Sequence, residues 1–353
     1  MLYRLKSKYR TFKKWYKNIY KHQAKIDIGN EYKLPWKEKL HYNLLGFTDQ
    51  EYYNFNLKHN DYHNYISYYE RMGLDDANGR FAYIIGEKLI FERFFGQIVN
   101  VPHIFAWNRN GVYIDPNTSE IVDIIALLKN EKRLIVKPTR SNGGGYGVHA
   151  ISYTDNSFLL DNNIISSEAL IDYLLKLRDC IVVQFIQQAE YSSKIYSNST
   201  NSIRIATGRM KNGEIEVLLS FHRFGSSTSG IVDNISSGGV FSLIDENGCL
   251  SGGRSYVDIN KVLDRHPDTG AIITETIIPG WKKLCTRLIE AHKKVPYYSF
   301  LAWDVVLDQN NNPYILEINR GSDLGIQCIK PLRNEKLGFF MRENGMLSSR
   351  VDK

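Results

Sequence analysis

Asp304, Glu317 and Asn319 lie on two apolar, β-branched runs, residues 301–308 and 313–319, separated by the turn-forming residues Gln309-Asn310-Asn311-Asn312. The pattern predicts a β-hairpin. A turn centred between Asn310 and Asn311 sets Asp304 directly opposite Glu317, and strand alternation puts Asn319 on their face. Directly opposed residues hold their Cβ atoms about 4.5–5.5 Å apart, where like charges repel. Two carboxylates and an amide oxygen so placed call for a cation. With no Cys or His among them, the donors suit a hard ion, Mg²⁺ before Zn²⁺. An exposed sheet face that happens to carry acids is the other reading of this hairpin taken alone. On the cation reading, Asp304→Asn or Glu317→Gln should abolish turnover with little loss of folding, because removing one charge relieves repulsion.

A second stretch carries phosphate chemistry. Ile135-Val136-Lys137-Pro138 reads as a strand that delivers a lysine, followed by a loop holding Gly143, Gly144, Gly145 and Gly147. Glycine lets backbone N–H groups approach a polyphosphate closely and take positive φ. The lysine adds a point charge for the same anion. The string is not a P-loop, because the lysine precedes the glycines, and no helix opens from them as a dinucleotide fingerprint requires.

The elements that must hold these groups are legible in outline. Apolar spacing predicts a helix around residues 86–95, short strands at 101–107 and 111–114, and a helix over 119–130. A strand over 133–138, a helix over 167–178 and a buried strand over 180–186 follow. Strands with Gly/Ser turns fill 201–257, and a helix over 280–294 precedes the hairpin. Strict βαβ alternation is missing, so the expected class is α+β. The expected divisions are a basic segment 1–30, a mixed α/β region 31–130, subdomains 131–186 and 187–335, and a tail 336–353.

The 353 residues suffice for two or three domains' worth of core, and 43% hydrophobic with 24% charged residues is ordinary for a globular protein. No run of about 18 apolar residues predicts a membrane span, and the first 26 residues lack the apolar stretch of a signal peptide. Cys180, Cys249, Cys285 and Cys328 are scattered, as expected for reduced thiols of a cytoplasmic protein. The net charge of +7 is uneven: residues 1–26 carry nine Lys and Arg and no acid. Leu5, Tyr9, Phe12, Tyr16 and Ile19 follow helical spacing within that segment. It fits a helix docked by its apolar stripe, a helix on an anionic membrane surface, or a nucleic-acid contact. Nothing else in the chain carries a nucleic-acid-reading signature, so no nucleic-acid partner is expected.

These residues, in this order, resemble the ATP-grasp superfamily: a strand Lys-Pro, a glycine loop, a buried hinge strand, then an Asp and a Glu-x-Asn on late paired strands. The strings Asn201-Ser-Ile-Arg204, His222-Arg223-Phe-Gly225, Val232-Asp233-Asn234 with Gly238-Gly239, Gly248-Cys-Leu and Trp303-Asp304 … Glu317-Ile-Asn319 … Gln327 narrow the resemblance. They look like the sugar-transfer-associated ATP-grasp branch, over roughly residues 75–333.

The resemblance implies two α+β subdomains clasping ATP, preceded by a helical or mixed N-terminal region. It implies that Lys137 and Lys88 contact ATP phosphates, that Gly143 to Gly147 form a mobile flap over them, and that Gln184, Phe185 and Ile186 form the adenine hinge. Glu190 would bind the ribose hydroxyls. Asp304, Glu317 and Asn319 would hold two Mg²⁺ ions, and Arg204 would stabilise the transferring phosphoryl group. His222 and Arg223 stand where either could bind a carboxylate substrate or be a plain loop charge. Asn201, Asp233, Asn234, Gly238 and Gly239 belong to the acceptor side. The activity implied is a carboxylate–amine ligase acting through an acyl phosphate on a sugar or uronic acid in cell-surface polysaccharide biosynthesis. A kinase on the same fold and a non-catalytic ATP- or surface-binding protein are the other readings. ATP, a carboxylate-bearing acceptor and an amine are the partners expected. Peripheral contact of residues 1–26 with an anionic inner membrane face is expected alongside a cytoplasmic location.

Overall fold

In the run Arg133–Pro138, Leu134 and Val136 alternate with Ile135 and Lys137, so a strand here must bury the first pair and turn the second toward another surface. The computed structural model describes residues 34–140 and 145–347. In it Arg133–Pro138 is strand β3 of a seven-stranded sheet. Its companions are β1 (Ile104–Arg109), β2 (Val112–Ile114), β4 (His149–Thr154), β5 (Ser157–Leu160), β6 (Asn163–Ile165) and β7 (Cys180–Gln184). The order is β2-β1-β7-β3-β4-β5-β6, and every ladder is antiparallel. Leu134, Val136, Ile151 and Val182 pack beneath helices Ile124–Glu131 and Ser167–Lys176. On the opposite face Ile104, Ile181 and Val183 form a smaller cluster with Leu89, Trp107 and Ile135. Lys137 shares that second face and is half-buried.

The second seven-stranded sheet has the order β12-β11-β10-β9-β8-β13-β14. Its strands are β8 (Ile203–Arg209), β9 (Ile215–Phe224), β10 (Val240–Leu243), β11 (Gly253–Ser255), β12 (Asp258–Leu263), β13 (Phe300–Leu307) and β14 (Pro313–Asn319). Helix Trp281–Lys293 presents Trp281, Leu284, Leu288 and Ala291 at helical spacing to Ile203, Ile205, Trp303 and Val305. Phe91 and Phe95 of helix Lys88–Phe95 join this core. Polar groups buried there are satisfied in series. Trp303 Nε1 donates to Thr207 Oγ1 at 2.8 Å, Thr207 Oγ1 meets His292 Nδ1 at 2.8 Å, and His292 Nε2 lies 3.0 Å from Tyr298 O.

Both sheets belong to one compact unit, residues 78–208 and 215–320. The expected boundary near residue 130 falls instead after Ala77, because β1 and β2 join the sheet of β3. The second unit gathers residues 34–77, 209–214 and 321–347 of the described chain. Its helices include Trp36–Leu44, Asp49–Asn54, Tyr68–Asp76 and Lys336–Glu343. Capping boxes start two of them, Thr48 with Glu51 and Ser67 with Glu70. Glu70 also accepts from the buried Arg333 at 2.8 Å, and the Gln327 amide clamps Ile66 N and Ile66 O, each at 2.8 Å. The stretch expected to be a tail from residue 336 thus begins as a packed helix. The basic segment expected at 1–30 lies outside the described residues. Among the described residues no helix is long and apolar enough to cross a membrane, and the four cysteines form no disulfide.

Candidate active site

The hairpin of β13 and β14 pairs Asp304 with Glu317, and the residues that follow pair as Trp303 with Ile318 and Ala302 with Asn319. Nearer the turn, Val305 pairs with Ile315 and Leu307 with Pro313. The turn is therefore centred on Asn310, and Leu316 is an extra residue, a β-bulge that restores the Asp304–Glu317 pairing. Asp308 closes the turn by accepting from Asn310 N and Asn312 N at 2.9 and 2.8 Å. The bulge aims the Leu316 carbonyl at Lys137, whose Nζ donates to it at 3.4 Å.

Across the other edge of β13, Asp304 pairs with Arg204 of β8. Arg204 grips the Asp304 carboxylate with two N–H groups, Nε to Oδ1 and Nη2 to Oδ2, the latter at 2.9 Å. Arg223 of β9 reaches Asp304 Oδ2 with Nη2 at 3.1 Å. The Asn319 amide donates to Asp304 Oδ2 and to Glu317 Oε1, each at 3.2 Å. Asp304 is 3% exposed. Burial pushes its carboxyl up, but Arg204 and Arg223 outweigh that and hold it down at about 2. For Arg223, burial disfavours the charge, and the carboxylates of Asp233, Asp304 and Glu317 more than restore it.

Two lysines complete the face. Lys88 opens helix Lys88–Phe95, and its backbone N–H donates to Thr139 O at 2.9 Å, which seats it beside the end of β3. Its Nζ lies 4.0 Å from Glu317 Oε2. Burial lowers its pKa, with Glu317 acting against that. Burial and the neighbouring Lys88 charge bring Lys137 down to about 8, again opposed by Glu317.

Arg223 is positioned by a group that the sequence reading did not single out. Ser202 Oγ accepts from Arg223 Nε at 3.0 Å, and Ser202 N donates to Asp233 Oδ2 at 2.7 Å. Arg223 Nε in turn lies 3.5 Å from that same Asp233 oxygen. The signal was present: Ser202 stands two residues before Arg204, so alternation puts both on one face.

Other expected site residues stand elsewhere. His222 is adjacent to Arg223 on β9 and therefore points the opposite way. It is fully buried, stacks on Phe224 at 4.2 Å, lies 2.9 Å from the Tyr191 hydroxyl through Nε2, and is pushed down to about 3 by burial. It is a neutral core residue and not a substrate contact. Asn201 is buried and bonded to Ser192 O, Tyr196 O, Ser199 Oγ and Gly225 N, which makes it a clamp on the 192–201 and 225 segments. Glu190 is exposed and pairs with Lys194 one turn on, at 2.7 Å. Asn234 accepts from Ser236 N and starts the short turn 235–237, which Gly238 ends. Gly239 is required by space, since the Asn234 and Phe224 carbonyls stand where a Cβ would sit.

Of the glycines expected to form a flap, Gly143 and Gly144 lie outside the described residues. Gly145 and Gly147 have φ of +70° and +75°, and a side chain at Gly147 would strike Pro138. Where the adenine hinge was expected, Gln184 N donates to His103 O at 2.9 Å, Phe185 lies 4.2 Å beneath the Arg133 guanidinium, and Ile186 is buried. Gln184 borders an open polar cleft of about 620 Å³ with Glu92, Arg93, His103 and Tyr314.

The donors at Asp304, Glu317 and Asn319 are hard oxygens and suit Mg²⁺ chemically. Among the described residues no group of three or more His, Cys, Asp or Glu side chains is placed to hold a metal ion. An ion held here would complete its shell with phosphate oxygens and water, which is how Mg²⁺ is bound at polyphosphate sites.

A family model described as sugar-transfer-associated ATP-grasp matches residues 71–335. No curated protein matches the chain. Among solved structures, the chain is similar to an L-amino acid ligase from Bacillus licheniformis at 12% identity, covering 76% of this chain and 50% of that one, with a TM-score of 0.43. It is similar to the biotin carboxylase domain of a Hydrogenobacter thermophilus 2-oxoglutarate carboxylase in complex with MgADP at 13% identity, covering 76% and 47%, TM-score 0.39. It is also similar to an N5-carboxyaminoimidazole synthetase from Staphylococcus aureus complexed with ADP at 10% identity, covering 69% and 46%, TM-score 0.38. The chain spans about half the length of these structures.

Proposed function

The chain belongs to the sugar-transfer-associated ATP-grasp family, and from that premise we propose that it is an ATP- and Mg²⁺-dependent carboxylate–amine ligase. The observation that carries the reading is the single face on which Asp304, Glu317 and Asn319 meet Arg204, Arg223, Lys88 and Lys137. Four cations around two carboxylates and an amide fit a polyphosphate with its metal, and no protein nucleophile is needed.

In this reading a substrate carboxylate oxygen attacks the γ-phosphorus, the bond from that phosphorus to the β-phosphate oxygen breaks, and ADP leaves. An amine then attacks the acyl carbon, the carbon–oxygen bond breaks, and inorganic phosphate leaves as the nitrogen gives up a proton. Mg²⁺ held by Glu317, Asp304 and Asn319 would neutralise the phosphate oxygens. Lys88 and Lys137 orient the nucleotide phosphates, and Arg204 and Arg223 offset charge on the transferring group. Ser202 and Asp233 hold Arg223 toward that group. The acceptor fitting the family's description is a sugar or uronic acid of a cell-surface polysaccharide, with an amino acid or amino sugar as amine, handled at the cytoplasmic side of a membrane.

The test is turnover of ATP by purified protein with Mg²⁺ and a panel of uronic acids and amino acids. ADP and free phosphate should rise together only when carboxylate and amine are both present. Phosphate retained covalently on a product would replace the ligase with a kinase.

Lys137 gives this site a pH signature. The amine is lowered to about 8, so above that pH the free protein offers ATP a neutral group that must be protonated on binding. ATP affinity should therefore decline from pH 8 upward, by up to about tenfold per pH unit until near the ordinary lysine value. Lys137→Arg stays charged throughout and should flatten the decline. Titration calorimetry across this range checks it, and parallel profiles for the two proteins would remove Lys137 from the phosphate site.

A further inference from the structure

Three carboxylates stand around the Arg223 guanidinium, and they are committed differently. Asp304 already accepts from Arg204, Arg223 and Asn319 and is held at about 2. Glu317 faces Lys88 Nζ at 4.0 Å and takes the Asn319 amide on Oε1. Asp233 spends one oxygen only. Ser202 N donates to its Oδ2 at 2.7 Å, Ser202 Oγ donates to the same atom, and Arg223 Nε lies 3.5 Å from it. Among the described residues nothing donates to Oδ1, and that oxygen is not sealed from solvent, since the side chain is 14% exposed. Burial pushes the Asp233 carboxyl above its ordinary value, and Arg223 and the Ser202 bonds pull against that. Asp233 is therefore a better proton acceptor than Asp304.

The loop that carries Asp233 holds it in place. Ser229 Oγ donates to Val232 O at 2.7 Å, and Ser237 N and Gly239 N donate to Asn234 O at 3.2 and 3.1 Å, so the chain on both sides is anchored. A Cβ on Gly145 would stand 3.0 Å from Val232, so the loop rests against the end of the glycine stretch that follows β3. Arg223 stands between Asp233 and Asp304, touching both.

On the ligase reading, on which this inference rests, we propose that Asp233 receives the amine substrate: Oδ1 pairs with the ammonium form and takes one proton from it. The Asp233 carboxylate becomes a neutral carboxyl, and the nitrogen uses the electron pair it keeps to attack the acyl carbon. The carbon–oxygen bond to phosphate breaks, its electron pair stays on the phosphate, and a second N–H proton leaves with that phosphate. Asp233 then returns its proton to solvent. The arrangement suits the chemistry, because Arg223 faces the anionic leaving group while the open oxygen of its partner faces the cation.

The experiment compares two kinds of nucleophile with the panel of uronic acids, ATP and Mg²⁺. Glycine and lysine carry ammonium groups at neutral pH, whereas hydroxylamine is already neutral there and needs no first proton transfer. The parent should form both amide and hydroxamate. Asp233→Asn keeps an acceptor for Ser202 N. It should slow both products, because Arg223 loses a charged partner, but the ratio of amide to hydroxamate should fall by about a hundredfold. Both products come from one preparation, so the ratio does not depend on how much of the variant folds. The ratio should recover as pH rises and the amines lose their protons in solution. Arg223 and Asp304, the charged groups facing Asp233, keep their charges over that rise, and Lys137 acts on both products alike. Ser202→Ala, which loosens Arg223, should slow the two products in equal proportion. An unchanged ratio in Asp233→Asn, or a parent that makes hydroxamate and no amide, would overturn the assignment while leaving carboxylate activation by ATP in place. A parent that makes neither product would remove the ligase reading, and this role with it.

Discussion

Asp304→Asn should abolish turnover and also destabilise the fold by about 3–5 kcal/mol, the usual cost of leaving one partner of a buried ion pair uncompensated. The sequence alone suggested the opposite for stability, since Asp304 faces Glu317 and removing a charge ought to relieve repulsion. The structure reverses the sign. Asp304 is 3% exposed and is gripped by Arg204 through two N–H groups and by Arg223 through a third. The asparagine would leave two arginines, one buried and one nearly so, facing an amide. At roughly 2–4 °C per kcal/mol for a unit of this size, the melting temperature should fall by about 10 °C. The effect has a pH window. The Asp304 carboxyl is held at about 2 in the folded protein, below its ordinary value of 3.8. Its contribution to stability is therefore present above pH 3.8 and lost as pH falls through about 2. The gap between parent and variant should be full at neutral pH and close on acidification. Melting curves of the two proteins at neutral and acid pH check this, and a variant that melts with the parent at neutral pH would remove the ion-pair account.

That reversal marks where sequence reasoning stops. The pairing of Asp304 with Glu317 was legible because hairpin register depends on local spacing, although the Leu316 bulge and a turn centred one half-residue earlier produce it together. The pairing of Asp304 with Arg204 was not legible. It joins strands about a hundred residues apart, and nothing local in either strand encodes which neighbour it takes. Lys88 reaches Glu317 through a backbone bond to Thr139, again a long-range event. Other features were available and went unread. His222 and Arg223 are consecutive on a strand, so only one of them can face the site. The hairpins β4–β5 and β5–β6 announce themselves by Asp155-Asn156 and Asp161-Asn162, both pairs at positive φ. Asn201 reads as a polar candidate in sequence, and only the segments folding around it reveal a structural clamp.

Glu317→Gln should separate the two roles that Asp304 combines. Glu317 is partly exposed, its nearest cation is Lys88 at 4.0 Å, and its Oε1 accepts from Asn319. Glutamine keeps that acceptor and nearly the same volume. The lost ion pair is long and reached by solvent, so the stability cost should be about 1 kcal/mol or less. Activity should respond differently. Glu317 opposes the burial that lowers Lys88 and Lys137, so its neutralisation drops both amines further and takes charge from the phosphate site. It also removes one of the two carboxylates suited to Mg²⁺. Together these losses should lower turnover by about a hundred- to a thousandfold, the range seen when a main electrostatic contributor to catalysis is removed. ATP affinity should become more sensitive to pH and to Mg²⁺ concentration than in the parent. The measurement is turnover and melting temperature on the same preparation. A Glu317→Gln protein that keeps its activity but melts well below the parent would show the pair to be structural, and the ligase reading would then lose the carboxylates on which it depends.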